Sequence, residues 1–205
     1  MTITFPLALP NDKIASMVGR AVNSVVCPSS PFSFSSTTHH FGGQRWEFDI
    51  QIPPLSVSDA EDWIAFLISL QGSYGTFLLG DPSYSSPRGS AGGTPLVSGG
   101  SQSGAVLAID GATSSQTGWL KAGDYIQLGS GSTATLHRVL QDADSDGSGN
   151  VSLDIWPDLR SSPADNAAVT LTDPKGVFSL AANITEWNVS EAVNYGISFV
   201  AREVV

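Results

Sequence analysis

The 205-residue chain has one cysteine and only nine lysines and arginines against nineteen aspartates and glutamates. None of its apolar runs reaches the roughly 18 residues that a membrane-crossing helix needs. Each shortage excludes something. Cys27 alone closes no internal disulfide, so packing must hold the fold and nothing demands an oxidising compartment. It reads as a small buried side chain rather than a nucleophile. The net charge of -10 and the scatter of the few basic residues leave no stripe to neutralise phosphates, which argues against nucleic-acid binding. The opening residues, MTITFPLALPNDKIASMVG, lack a basic leader, a long apolar core and a small-residue cleavage site. No secretory signal is expected there, and the chain is expected to be soluble when made. The sequons at Asn183 and Asn188 are accordingly expected to carry no glycan. G-x-G-x-x-G, G-x-x-x-x-G-K-[ST] and G-x-S-x-G are all missing, so phosphate-cradling loops and a nucleophile elbow are not indicated.

What is abundant points to β-structure. Hydrophobic residues make up 41% of the chain, with 21 glycines and 12 prolines. That composition suits many short strands joined by tight turns rather than a helical bundle or a disordered tail, and the length allows one large or two small domains. The expected fold class is therefore mainly β.

The most informative stretch runs from Arg45 to Pro82. Trp46, Phe48, Ile50 and Ile52 alternate with Glu47, Asp49 and Gln51, the period of a strand with one buried face. Pro53 and Pro54 stop it. Ser58 reads as an N-cap completed by Glu61 in a capping box, with Asp59 and Asp62 at the positive end of the helix dipole. Those acids thus have a sufficient electrostatic cause and need no catalytic role. Over residues 58–71, Ala60, Ile64 and Leu67, flanked by Trp63, Phe66 and Leu70, form an apolar stripe for a sheet, and Gly72 is placed as a left-handed cap.

Further strands are expected at Ile3–Leu9, Ile14–Val26, Phe32–Ser36, Gln44–Ile52 and Tyr74–Leu79. Pro82–Gly104 is too rich in Ser, Gly and Pro to be packed throughout and reads as a linker or crossing loop. A second block follows, with candidates at Val106–Ile109, Asp124–Leu128, Thr133–Leu140, Val151–Trp156 and Ala168–Thr172, spaced as in a small barrel or sandwich. After Asp173-Pro174 the alternation lengthens again at Val177–Ala181, Ile184–Val189 and Tyr195–Val204, where Tyr195, Ile197, Phe199 and Ala201 share a face. The closing strands need a sheet to join. The expected organisation is a discontinuous domain of residues 1–90 and 173–205 with residues 91–172 inserted as a small module; two sequential domains are the alternative.

The chemistry-bearing residues assemble no site. Asp142, Asp144, Asp146 and Gly147 match the opening of a calcium loop, with Asn150 at the ninth position, but the twelfth position is Leu153 where a bidentate Glu belongs. A solvated turn from Asp142 to Asn150 explains the same letters. His39 and His40 are strand or turn neighbours that point to opposite faces, without a Cys or acidic partner at ligand spacing. His137 lies in an alternating strand with no nucleophile beside it. No catalytic, cofactor-binding or metal-binding residue is assigned, no cofactor is expected, and the chain does not read as an enzyme.

The order of these features resembles the distal tail (Dit-like) family of tail-tip structural proteins of long-tailed bacteriophages. The resemblance is carried by RWEFDIQIPPL, the helix DWIAFLISLQG, the return strand YGTFLLGDP, the stretch GDYIQLGSGSTATLHRVLQDADSDGSGNVSLDIWPDLR and the closing ISFVARE, over roughly residues 40 to 203. It implies a split β-sandwich or barrel belt domain that forms a ring, commonly hexameric, with an inserted small β-barrel of OB- or galectin-like type facing outward. The implied role is structural, in the virion at the tail tip after synthesis in the bacterial host cytoplasm. The implied partners are further copies of the chain, the tail tube protein and other tail-tip proteins, with no membrane and no sequence-specific nucleic acid. DNA passing through the ring would meet an acidic wall that does not trap it. From a different class, a carbohydrate-binding β-module would offer Trp119, Tyr125 and Trp156 to a sugar and stiffen the Asp142 turn with calcium. A hydrolase would need convergent titratable groups that the sequence does not supply.

Overall fold

The computed structural model describes residues 3–189 and 195–205. The chain is mainly β with one α-helix. In order the elements are β1 (Ser16–Val26), β2 (His39–Gln51), α1 (Val57–Ser69), β3 (Thr76–Leu79), β4 (Gly93–Val97), β5 (Gly104–Ala112), β6 (Tyr125–Leu128), β7 (Thr135–Val139), β8 (Val151–Leu159), β9 (Val169–Thr170), β10 (Gly176–Leu180), β11 (Trp187–Val189) and β12 (Tyr195–Glu203). One sheet has the order β1-β2-β12-β10-β3, with β11 added along β12. The other runs β4-β5-β8-β7-β6-β9. Its two ends meet through a Leu96–Ala168 bridge and backbone bonds from Val97 N to Ala167 O and Asn166 N to Val97 O, both 2.9 Å, so it curls into a nearly closed barrel. Every barrel strand lies between β3 and β10 in sequence, yet β3 and β10 pair directly, Phe77 opposite Phe178.

The alternation from Trp46 to Ile52 forms the buried face of β2. Trp46, Phe48 and Ile50 pack with Phe178, and the α1 stripe of Ala60, Trp63, Ile64, Phe66 and Leu67 closes over the same core. The N-cap lies two residues earlier than the sequence suggests. Ser56 is the N-cap, in extended conformation and without a side-chain cap bond, so the Ser58–Glu61 capping box does not form. Ser56 Oγ instead reaches Asp59, which also binds Lys13 Nζ at 2.9 Å. Leu70 is the C-cap, and both Gln71 (φ 52°) and Gly72 (φ 70°) are left-handed beyond it. Gly72 has a second reason to lack a side chain, because a Cβ there would lie 2.9 Å from Asn183.

Several other expectations are corrected. Pro82–Gly104 is not a free linker: it contains β4, and its first part is bound down by the buried carboxylate of Asp124, which accepts Arg88 N (3.0 Å) and Gly89 N (3.4 Å). Ile3–Leu9 makes only a parallel bridge, Leu7 to Phe77, beside β3. Phe32–Ser36 is a turn, and β2 starts at His39 rather than Gln44. The Ile184–Val189 strand is shorter, starting at Trp187. Cys27 is exposed rather than buried.

The two sheets share a built junction. Trp46 meets Trp156 edge-on at 4.4 Å and donates its indole N–H to Leu136 O at 3.0 Å. Arg160 binds both oxygens of Glu203, at 3.0 and 2.7 Å, and the same carboxylate accepts Trp46 N at 3.0 Å. Glu203 is only 4% exposed, so this bidentate pair is enclosed where β12 abuts the end of β8. Burial raises the Tyr84 phenol to about 12, with the nearby Asp124 carboxylate acting in the same direction. The Tyr84 hydroxyl donates to Tyr125 O at 3.3 Å.

Candidate assembly surface

The hairpin β1–β2 extends past the part of β2 that the core covers. Its strands pair from Ser16–Gln51 at the root to Val26–His39 at the tip, with a register slip between Asn23 and Val25. At the root the inner face is covered, and Gly19 lies opposite Phe48 so closely that a Cβ would sit 3.1 Å from the ring. Beyond Gln44 the cover ends. Residues from His39 to Gly43 are exposed on both faces of β2, and β1 is exposed along most of its length. The hairpin therefore leaves the body as an arm.

On the outer face of the root a charge ladder ties three strands together. Arg20 pairs with Asp49, and Glu47 accepts from both Arg45 (2.9 Å) and Arg202 (3.0 Å). Partial burial pushes the Glu47 carboxyl up, but the bonds from Arg202 and Arg45 outweigh it and hold it below the usual carboxylate range. The bond from Arg20 likewise holds Asp49 low. These charges fix where the arm leaves the sheet.

The tip is structured. Ser29 bridges Ser36, Ser30 N donates to Ser35 O at 2.8 Å, Phe34 N donates to Ser30 O at 2.9 Å, and Ser30 Oγ accepts Phe32 N and Ser33 N. This folded knob displays aromatic side chains: Phe32 is 96% exposed, Phe34 85% and Phe41 68%. Phe34 does so from a left-handed backbone (φ 56°), a conformation unfavourable for a bulky residue. With Val25 and Val26, also exposed, these rings give the end of a polar hairpin an apolar character, the kind of surface that water disfavours and a partner covers. The sequence reading placed Phe32–Ser36 in a strand and so missed these residues; three phenylalanines among serines, threonines and glycines, with no alternating apolar partner, were the available signal.

The residues weighed for chemistry are dispersed. In the Asp142–Asn150 turn each carboxylate has its own donors: Asp142 takes Ala122 N and Lys121 Nζ, Asp144 takes Gly118 N at 2.6 Å, and Asp146 takes Ser148 N, Asn150 N and Asn150 Nδ2, each at 2.8 Å. The bonds from the Asn150 side chain and from the turn's N–H groups hold Asp146 below its ordinary range. Among the described residues no group of three or more His, Cys, Asp or Glu is placed to hold a metal ion. His39 and His40 stand exposed at the start of β2. His137 is buried, bound to Pro157 O (2.7 Å) and Thr135 Oγ1 (2.9 Å), and its burial lowers its pKa. Trp119 is fully buried and donates to Gly92 O, Tyr125 is 4% exposed, and Trp156 lies against Trp46 with its N–H on Asn23 Oδ1. Trp119 and Tyr125 are thus buried, and Trp156 is half-buried. Asn183 is engaged by Ser73, whose N and Oγ donate to its side-chain oxygen; Ser190 of the Asn188 sequon lies outside the described residues. No helix among the described residues is long and apolar enough to cross a membrane.

No family model matches this chain, and no curated protein matches it.

Proposed function

We propose that the chain is a structural component of a bacteriophage tail tip, assembling with copies of itself into a ring that joins the tail tube to the distal, receptor-binding apparatus. The observation that carries this reading is the arm: an ordered hairpin that projects from a firmly packed body and ends in exposed phenylalanines has no evident use in the monomer and an immediate one in assembly. In this reading residues 1–90 and 173–205 form the belt, hexameric as in the family the sequence resembles. In the same reading residues 91–172 form the outward module of OB- or galectin-like kind, and the contacts at Trp46, Trp156, Arg160 and Glu203 support its attachment to the belt. The role is structural rather than enzymatic. The net charge of -10 suits a ring whose inner wall lets DNA pass.

Mass measurement in solution with negative-stain imaging, alone and with tail tube protein, tests the proposal. Closed rings, or capture of the chain at the end of tubes, are the expected result. A monomer that ignores both its own copies and the tube would overturn it. Binding on a glycan array by that monomer would instead favour the carbohydrate module.

A further inference from the structure

A groove of about 270 Å³ opens between α1, the end of β10 and β12. Leu67, Leu180 and Phe199 line it, and Ile184, 74% exposed, stands at its edge. Its rim is polar, with Glu186 and Ser198. This is room for an aromatic side chain, in an apolar site with a wet border.

We infer that Phe32 and Phe34 at the arm tip of one copy insert into this groove on a second copy. The arm cannot fill its own groove. Phe199 pairs with Ile50 near the root of β2, and from Ile50 back to His39 the strand runs roughly 36 Å at about 3.3 Å per residue, with the tip turn farther still. Charge favours an intermolecular fit. From Lys13 to Trp46 the chain has no acidic residue, although its net charge is -10, so the arm approaches an acidic neighbour and its Glu186 rim without like-charge repulsion. The contact joins two different surfaces of the same chain, the head-to-tail arrangement that closes into rings when the rotation permits. It thus deepens the ring reading, on which it rests for the second copy, by naming both halves of one subunit contact.

The experiment is a crosslink between differently marked chains. In a Cys27→Ser background, one chain carries Phe34→Cys and the other Ile184→Cys; they are mixed at high concentration, oxidised and separated without reductant. A mixed disulfide dimer well above that formed by Phe34→Cys with a control chain carrying Ser161→Cys, an exposed position on the barrel, is the expected result. Mixed dimer at or below the control overturns the contact, whatever the assembly state. The ring reading is judged separately, by mass and imaging of the unmodified chain. As a second measure, Phe32→Ser with Phe34→Ser should weaken self-association about tenfold or more, the loss typical of removing buried aromatic anchors; unchanged association would overturn the inference too.

Discussion

The two ends of β2 form a controlled comparison within one strand. From Trp46 to Gln51 its residues alternate between a core that includes Trp63, Phe77 and Phe178 and an outer face of ion pairs. From His39 to Gly43 the same strand is exposed on both faces, and its pairing with β1 resumes at His40 and His39 beyond the register slip. Backbone pairing is thus found in both halves, while burial is not. A ladder of hydrogen bonds suffices to extend a hairpin from a body that is already folded, but it does not supply the apolar burial that makes the body stable. The arm is anchored at its root by Gly19 against Phe48 and by the Arg20–Asp49 pair, and its apolar groups are left for another surface.

If that division is right, substitutions in the body should unfold the protein and substitutions at the tip should not. The largest effect is expected from Trp63→Ala, which empties a fully buried site between Asn11, Phe66 and Phe199 and should cost about 4 kcal/mol in urea unfolding. Arg160→Ala should follow at about 3 kcal/mol, since Glu203 would be left buried with Trp46 N as its remaining donor. A loss below about 1 kcal/mol there would mean that water reaches the junction between the two sheets and that they are less firmly joined than their contacts indicate.

A smaller, pH-dependent term comes from His137. Burial lowers its folded pKa beneath its ordinary value near 6.5, so its contribution is complete above that value and is lost as pH falls toward the folded pKa, where the unfolded chain takes up the proton first. Unfolding midpoints should therefore drop on acidification from pH 7 to 5, and His137→Gln should flatten that part of the profile. The smallest effect on stability is expected at the tip: Phe32→Ser with Phe34→Ser should change unfolding free energy by no more than about 0.5 kcal/mol. A loss of several kcal/mol would place the tip inside the fold and dissolve the distinction between arm and body.

The parts of the fold legible in the sequence were those whose pattern is local. Alternation over Trp46–Ile52 located the covered half of β2, the apolar stripe located α1, and the Asp- and Gly-rich text of Asp142–Asn150 read correctly as a turn. The boundaries were less legible. Ser56 took the cap from Ser58 because the chain rises out of Pro53-Pro54 through an extended Leu55, bridged to Tyr195, a contact made 140 residues later. β4 was hidden in Ser- and Gly-rich text because its pairing with β5 and its approach to β9, rather than its own composition, make it a strand. The arm was misread for a related reason: Phe32 and Phe34 look like core residues, and only the path of β1 and β2 away from the body shows that no core lies beneath them.

By itself, then, the sequence determined a mainly β chain, one helix on a sheet and an acidic balance, because composition, period and turn chemistry act within a few residues. The tertiary structure decided that β3 and β10 pair across the inserted barrel, that Arg160 and Glu203 close the junction, and that the Phe32 end is displayed rather than buried. These depend on which distant surfaces meet, and whether an apolar residue is core or contact is a property of what covers it.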